Sequence, residues 1–345
     1  ASDVYKRQGI RLSFLFLIIT ESKSDHTYII QRLFIFFPML LVISFLVYSG
    51  LELSPGDAVS HMISPELAST ITAEQLDAMR EAYGLNQSFL TRYWIWLTSM
   101  VQGDMGYSMA GGVAISEIMV KTVPATLELS MVALFFSTIL GCSLGVISAL
   151  KRGSGTDNSL TVAGMAGVSI PEFFFGLVAI LLFAIELKWL PVGGRLLPHY
   201  ETLWDRIPNI VLPSLVLALM MTAGAMRYAR SSMLDVLARE FITTARSKGM
   251  PEWRVNILHG FRVALTPVVV LIGFRLPLLI GGSTIIEQVY QWPGIGSMFI
   301  RSVRASDYPL VMTISLMYVF VVLTASLIID VLTALIDPRV RLGKE

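Results

Sequence analysis

One cysteine, Cys142, stands in the whole 345-residue chain, and it lies inside an apolar run. That excludes a disulfide framework and a thiolate metal site. Histidine is nearly as sparse. His26, His61, His199 and His259 are scattered, with no spacing suited to a metal. Charged residues make up 15% of the chain against 54% hydrophobic ones, and mean hydropathy is +0.68. Those values exclude an ordinary soluble domain. A net charge of +1 implies neither nucleic acid nor a strongly acidic partner. Catalytic motifs are missing too: there is no GxxxxGKS/T loop, no HExxH, no GxSxG and no carboxylate pair in a catalytic setting. The pairs Gly111–Gly112, Gly193–Gly194 and Gly281–Gly282 read as turn or close-packing positions rather than nucleotide loops. No catalytic residue, metal or cofactor is expected, so any energy used comes from a partner or an ion gradient.

What is present is apolar and long. A bilayer core takes roughly 20 residues of helix to cross. Six stretches qualify: about Leu33–Gly50, Leu127–Leu150, Leu160–Leu187, Ile210–Tyr228, Leu265–Ile286 and Leu310–Ile336. The third is longer than a straight crossing needs, and Pro171 is the natural place for a break. The expected fold is therefore all-α, a polytopic membrane protein of six transmembrane helices forming a single membrane domain over 28–345. Residues 1–27 form an N-terminal extension of unclear role; its apolar run Leu12–Ile19 is too short to span. Lys and Arg concentrate on the side that holds both termini, Lys151–Arg152 and the cluster Arg227–Arg262. Positive charge favours the cytosol, so both termini are expected there.

The first external loop, 51–121, is long enough to fold on its own. Thr72 to Gln75 has capping-box spacing, and Gly84 closes the helix that follows. Ser88–Val101, with Tyr93, Trp94 and Trp96, has the amphipathic pattern of a helix at the headgroup level. This loop is either a lid packed on its own spans or a partner-docking surface, or both.

A basic amphipathic insert, 235–267, lies between two apolar spans on the cytosolic side. Leu237, Phe241 and Ala245 recur every four residues, which places them on one helical face. Arg239, Arg246 and Lys248 lie off it. Gly249 supplies a left-handed stop, and Pro251 opens a second short helix with Glu252 in its first turn, where the helix dipole favours an anion. A span-to-span loop needs only a few residues, so this helix pair is built to dock. Alternatively, the stripe packs on the ends of the spans and the cations meet anionic headgroups.

The insert resembles the EAA loop of permeases of ATP-binding-cassette importers. Aligned on Gly249, Thr243, Thr244 and Ala245 take the place of the EAA triplet, and His259–Arg262 that of the terminal cluster. TARSKGMPEWRV with a delayed Pro267 is closer to the dipeptide, oligopeptide and nickel branch. Further motifs of that branch follow in order: Ser54–Asp57, Gly103–Ser108 (GDMGYS), Pro124–Thr126, Ile170–Phe173, Trp189–Gly194, Glu287–Gly296 (EQVYQWPGIG), Asp307–Pro309 and Asp337–Arg341. The long first loop is similar to that of the B-type subunit. The resemblance covers about Tyr28 to the C-terminus. It implies a type I importer permease in a prokaryotic inner membrane, paired as a heterodimer with a second homologous permease. Two cytosolic ATPase subunits and an external solute-binding protein complete the assembly, with lipid around it and no nucleic acid. It does not name the solute among dipeptides, oligopeptides, nickel complexes and glutathione.

On that resemblance the ATPase-docking candidates are Arg239, Glu240, Phe241, Ala245, Arg246, Lys248 and Gly249. Glu172 and Arg275 fall inside predicted spans. A midplane charge costs about 2.5–3.5 kcal/mol on insertion scales, so each is expected to face a partner or water. They either line the pathway or form a salt bridge away from it. Glu287, at the outer end of the fifth span, is a third pathway candidate, as a gate or loop anchor. Two rival classes remain open. A gradient-driven carrier would need internal symmetry and membrane carboxylates. An intramembrane enzyme would need a nucleophile–base or metal set.

Overall fold

Helices long and apolar enough to cross a bilayer dominate the protein. The structure, a computed structural model, describes residues 32–50, 53, 72–82, 86–195, 204–265 and 283–336, together with Val268, Gly273, Arg275, Leu279 and Gly281. Among the described residues the only extended pairing is one isolated bridge between Tyr107 and Ala114. The fold is all-α.

Four helices meet the length and apolarity of a span: α1 (Arg32–Gly50), α4 (Ile115–Leu150), α7 (Ile207–Leu237, entered through a 3-10 turn at Trp204–Arg206) and α12 (Tyr308–Ile336). A further pair, α5 (Gly155–Ser169) and α6 (Glu172–Ala179, continued by a π turn over Ile180–Glu186), reaches that length and apolarity together and is bent by 100°, the form of a broken span or a re-entrant loop. Pro171 sits at that bend, where sequence reasoning puts a break. It has no N–H to continue the ladder and holds the preceding residue extended. The predicted span Leu265–Ile286 lies largely outside the described residues, as do 1–27, Gly84, Ser54–Asp57, Pro267 and Asp337–Arg341.

Two boundaries differ from expectation. Helix α4 begins at Ile115, well before Leu127, so Pro124 is inside a helix rather than at its opening. Its polar first turns hide the extension from a hydropathy count. Helix α7 runs on to Leu237 instead of ending near Tyr228, because its Arg-bearing last turns remain helical after the apolar run stops.

Helices α4 and α7 form the central pair, and small residues let them approach. A methyl added at Gly141 would overlap Ala225 Cβ. One at Gly145 would stand 2.6 Å from the Met226 carbonyl oxygen. Such glycine contacts are how membrane helices gain dispersion energy where lipid offers no hydrophobic drive. The largest core cluster joins this pair to the segment 286–292, through Leu129, Val216, Ile286, Tyr290 and Trp292.

In the loop after the first span the Thr72–Gln75 capping box is formed. The Thr72 N–H donates to Gln75 Oε1 at 3.0 Å and the Gln75 N–H to Thr72 Oγ1 at 3.3 Å, opening α2 (Ala73–Ala82). Helix α3 (Phe89–Val101), capped by Ser88, packs on α1. Tyr93 is 2% exposed, shares a 2.8 Å hydrogen bond with Ser44, and sits among Phe45, Tyr48, Phe89 and Trp96. The other face keeps Trp94 and Ile95 exposed. The lid reading therefore holds for this helix.

Candidate functional site

The motifs at Pro124–Thr126, Trp189–Gly194 and Glu287–Gly296 fold into one buried knot. Helix α10 (Thr284–Val289) carries Glu287 into it, and α11 (Ile295–Arg304) leaves it. Glu287 is fully buried. Its Oε1 accepts from Thr126 Oγ1 at 2.6 Å and Ser283 Oγ at 3.1 Å, and its Oε2 from the Ser297 N–H at 2.8 Å. Thr126 in turn accepts the Ile295 N–H at 2.7 Å, and the Trp292 indole donates to the Ala125 carbonyl at 2.8 Å. Tyr290 donates to the Gly176 carbonyl at 3.1 Å, and its own carbonyl accepts the Gly194 N–H at 2.8 Å. A methyl at Gly294 would land on the Glu287 carboxylate, and one at Gly193 on the Tyr290 carbonyl. Glu287 is thus enclosed between α4 and the α10–α11 turn, with its carboxylate held by residues of both.

Asp307 makes a second knot. It accepts from Ser108 Oγ and from the N–H groups of Met109 at 3.1 Å and Ala110 at 3.4 Å, and caps the start of α12 through the Leu310 N–H at 3.4 Å. The GDMGYS loop, turning through the positive φ of Gly103 and Gly106, is thereby fixed to the last span. Gly112 turns at φ 63.

The basic insert is a helix, a sharp turn and a second helix: α8 (Glu240–Ser247) and α9 (Glu252–Arg254, continued by a π turn over Val255–Phe261). Gly249 has φ 72, the left-handed stop that the sequence predicts, and Pro251 is the cap before α9 rather than its first residue. The predicted face is corrected. Helix α7 ends at Leu237 and Arg239 caps α8. Leu237 therefore belongs to another helix, and the periodicity restarts. The buried face of α8 is Ile242 and Ala245, packed on Val255, Leu237 and Met250. Ala245 faces inward at 8% exposure, whereas Phe241 is 39% exposed. Arg239, Glu240, Lys248 and Gly249 are exposed. Arg246 pairs with Glu252, Nε to Oε1 at 2.9 Å and Nη2 to Oε2 at 3.2 Å, clipping the two helices together. Trp253, 58% exposed under the Arg254 guanidinium, adds apolar surface that the Leu237 stripe did not predict.

Within the spans, Glu172 and Arg275 do not pair. Glu172 starts α6 with Oε1 buried and no hydrogen-bond partner among the described residues. Arg275 donates from Nη1 to the Met221 carbonyl at 2.6 Å, with its guanidinium over Gly224.

Three ion pairs escaped sequence reasoning. Arg230 grips Asp157 with two 2.8 Å hydrogen bonds, Nε to Oδ1 and Nη2 to Oδ2, while Ser148 and the Gly153 N–H also donate to the carboxylate. This ties the α4–α5 turn to α7. Arg195 donates to Glu128 Oε2 at 2.7 Å, and Arg32 meets Asp330 at 2.9 Å. The available signal was Glu128 and Asp330 each standing alone in an apolar run; Asp157, in the polar stretch Lys151–Ser159, gave none.

Comparison with known proteins gives consistent findings. The sequence profile described as "Binding-protein-dependent transport system inner membrane component" matches residues 141–342, and the one for the N-terminal part of such membrane components matches 26–130. The chain is 38% identical over 315 residues to the oligopeptide transport system permease protein AppB of Bacillus subtilis, covering 91% of this chain and 98% of the relative. It is 36% identical over 316 residues to a putative peptide permease protein of Brucella suis, with the same coverage of 91% and 98%. It is 34% identical over 315 residues to the glutathione transport system permease protein GsiC of Escherichia coli K12, again with 91% and 98%. In fold it is similar to a chain of the MetNI methionine ABC transporter in an inward-facing conformation. That match has a TM-score of 0.50 at 17% identity and covers 64% of this chain and 97% of the other.

Proposed function

The chain belongs to the family of binding-protein-dependent transport system inner membrane components, and from that premise we propose that it is one of two homologous permeases in an ATP-driven importer of peptides. It is a transport component of the membrane and not an enzyme. The relatives above are named for oligopeptide, peptide and glutathione transport, which favours solutes with a peptide backbone. Its partners in this reading are the second permease, two ATPase subunits on the cytosolic side and an external solute-binding protein.

The observation that carries the reading is the α8–α9 pair. It is a clipped, self-packed element with its own buried face, Ile242 and Ala245 on Val255. Its outer face nonetheless offers Phe241 and Trp253 beside Arg239, Lys248 and Arg254. Such a surface suits the cleft of an ATPase. Because Leu237 in the last turn of α7 packs on Ile242, Ala245 and Val255, a shift of the pair pulls on the central helix, and packed helices move between discrete arrangements. Phe241, Arg239, Glu240, Lys248 and the Gly249 turn are the docking set; Ala245 supports it from within.

The Arg32–Asp330 pair joins the first turn of α1 to the last turns of α12, which supports both ends of the membrane domain on one side and an even number of crossings. Four spans plus the bent pair make five. A sixth, through the helical positions between 262 and 281, completes the count. The Lys and Arg excess favours both termini and the α8–α9 pair in the cytosol of a prokaryotic cell.

The test is ATP hydrolysis in a mild-detergent purification from native membranes through a C-terminal tag. Hydrolysis co-eluting with the wild type, and reduced at least about fivefold by Phe241→Asp at an unchanged unfolding temperature, supports the reading. Folded protein without associated ATPase defeats it.

A further inference from the structure

Several charges inside the helices are held by neighbours in this chain. Arg230 holds Asp157, Arg195 holds Glu128, Arg32 holds Asp330, and Glu287 is satisfied by its knot. Arg275 and Arg227 are held by no such carboxylate among the described residues. Arg275 reaches α7 and has only a backbone partner, the Met221 carbonyl at 2.6 Å. Arg227 lies one turn beyond Gly224, on the helix that Arg275 reaches, and carries the same sign of charge. No carboxylate pairs with either among the described residues.

The geometry keeps the guanidinium where it is. A methyl at Gly224 would strike Nη2 of Arg275 directly. Glycine here serves as a socket, and the bond to Met221 fixes the orientation of the fork. Met221, Gly224 and Arg275 are only partly buried and Arg227 is exposed, whereas much of α7 is buried. Two like charges on adjoining turns, with no carboxylate beside either among the described residues, call for an anion between them. Planar guanidinium groups suit a carboxylate best, through paired N–H donors.

We propose that Arg275 and Arg227 form a carboxylate-receiving site within the membrane, engaging the free C-terminal carboxylate of a peptide as it passes. This rests on the peptide-importer reading. The solute's carboxylate and an acidic side chain of the second permease share this chemistry, and the test separates them. Gly224 is a positioning residue: it sets where the Arg275 fork lies without touching the solute.

The experiment uses the whole transport complex purified from native membranes, reconstituted in liposomes with its solute-binding protein. Uptake of labelled trialanine and of trialanine amide is measured per ATP hydrolysed for wild type, Arg275→Gln, Arg227→Gln, Arg275→Lys and Gly224→Ala. The site predicts that trialanine uptake falls about tenfold in each Gln variant, the scale of one charge-assisted hydrogen bond, and about threefold in Gly224→Ala. Arg275→Lys recovers part of the loss, and amide uptake stays within about twofold of wild type throughout. Equal losses for acid and amide assign the cations to the second permease or to the fold and overturn the site. Unchanged trialanine uptake in Arg275→Gln overturns it as well. A wild-type complex that hydrolyses ATP but carries neither peptide overturns the peptide reading itself, and the site with it.

Discussion

Replacing Glu287 with glutamine separates an anchoring role from a transport role. In the native knot both carboxylate oxygens accept: Oε1 from Thr126 and Ser283, Oε2 from the Ser297 N–H. Glutamine keeps one oxygen for Thr126 and Ser283 but turns an amide N–H2 toward the Ser297 N–H, donor against donor. One charge-assisted hydrogen bond is lost, about 1.5–3 kcal/mol, and a buried N–H is left without an acceptor, about 1–3 kcal/mol. The two losses overlap in part, giving about 2–5 kcal/mol. Native stabilities run about 5–15 kcal/mol, so this is a large fraction. At about 2–4 °C per kcal/mol for a chain of this scale, the unfolding temperature in detergent should fall by roughly 4–20 °C. Tryptophan fluorescence follows it, since the fully buried Trp292 sits in the knot and donates to Ala125. Glu287→Ala removes every acceptor and should be worse. An unfolding temperature within about 2 °C of wild type, together with lost uptake, would refute the anchor and return Glu287 to the pathway.

Gly145→Ala should destabilise by about 1–3 kcal/mol, because its methyl meets the Met226 backbone and the α4–α7 pair must separate. Gly167→Ala, with open space around it, should be neutral or stabilising in the same melt. Tyr93→Phe should cost about 1 kcal/mol by leaving Ser44 without its ring partner, and limited proteolysis should cut sooner between α3 and α4. Ile242→Asp places a charge in the buried face of α8 and should expose the insert to trypsin. Phe241→Asp should lose ATPase association without that sensitivity.

Local signals were legible where chemistry acts over a few residues. Pro171 marked the bend, Gly249 the left-handed stop, and Thr72–Gln75 the capping box. The motifs themselves were visible in order, but their pairing was not. That Thr126 meets Glu287, and Ser108 meets Asp307, depends on residues more than 150 positions apart, and no periodicity reports such a contact. The stripe Leu237–Phe241–Ala245 misled because a single extended residue, Arg239, restarts the helical phase. The inner face passed instead to Ile242 and Ala245. Glu172 and Arg275 were visible as charges in apolar runs, but position alone does not reveal whether two such charges meet. Here Arg275 turns to Met221 on α7.

The central claim is that ATP, hydrolysed by partner subunits, drives solute inward through this chain. The direct measurement is uptake of trialanine into liposomes bearing the whole complex, with ATP enclosed and ion gradients collapsed by a protonophore. The account predicts that uptake continues under the protonophore and stops with vanadate. Uptake that stops with the protonophore while ATP is held constant would contradict it. It would instead point to gradient-driven transport, with Glu172, whose Oε1 is buried and unpartnered among the described residues, as the proton carrier.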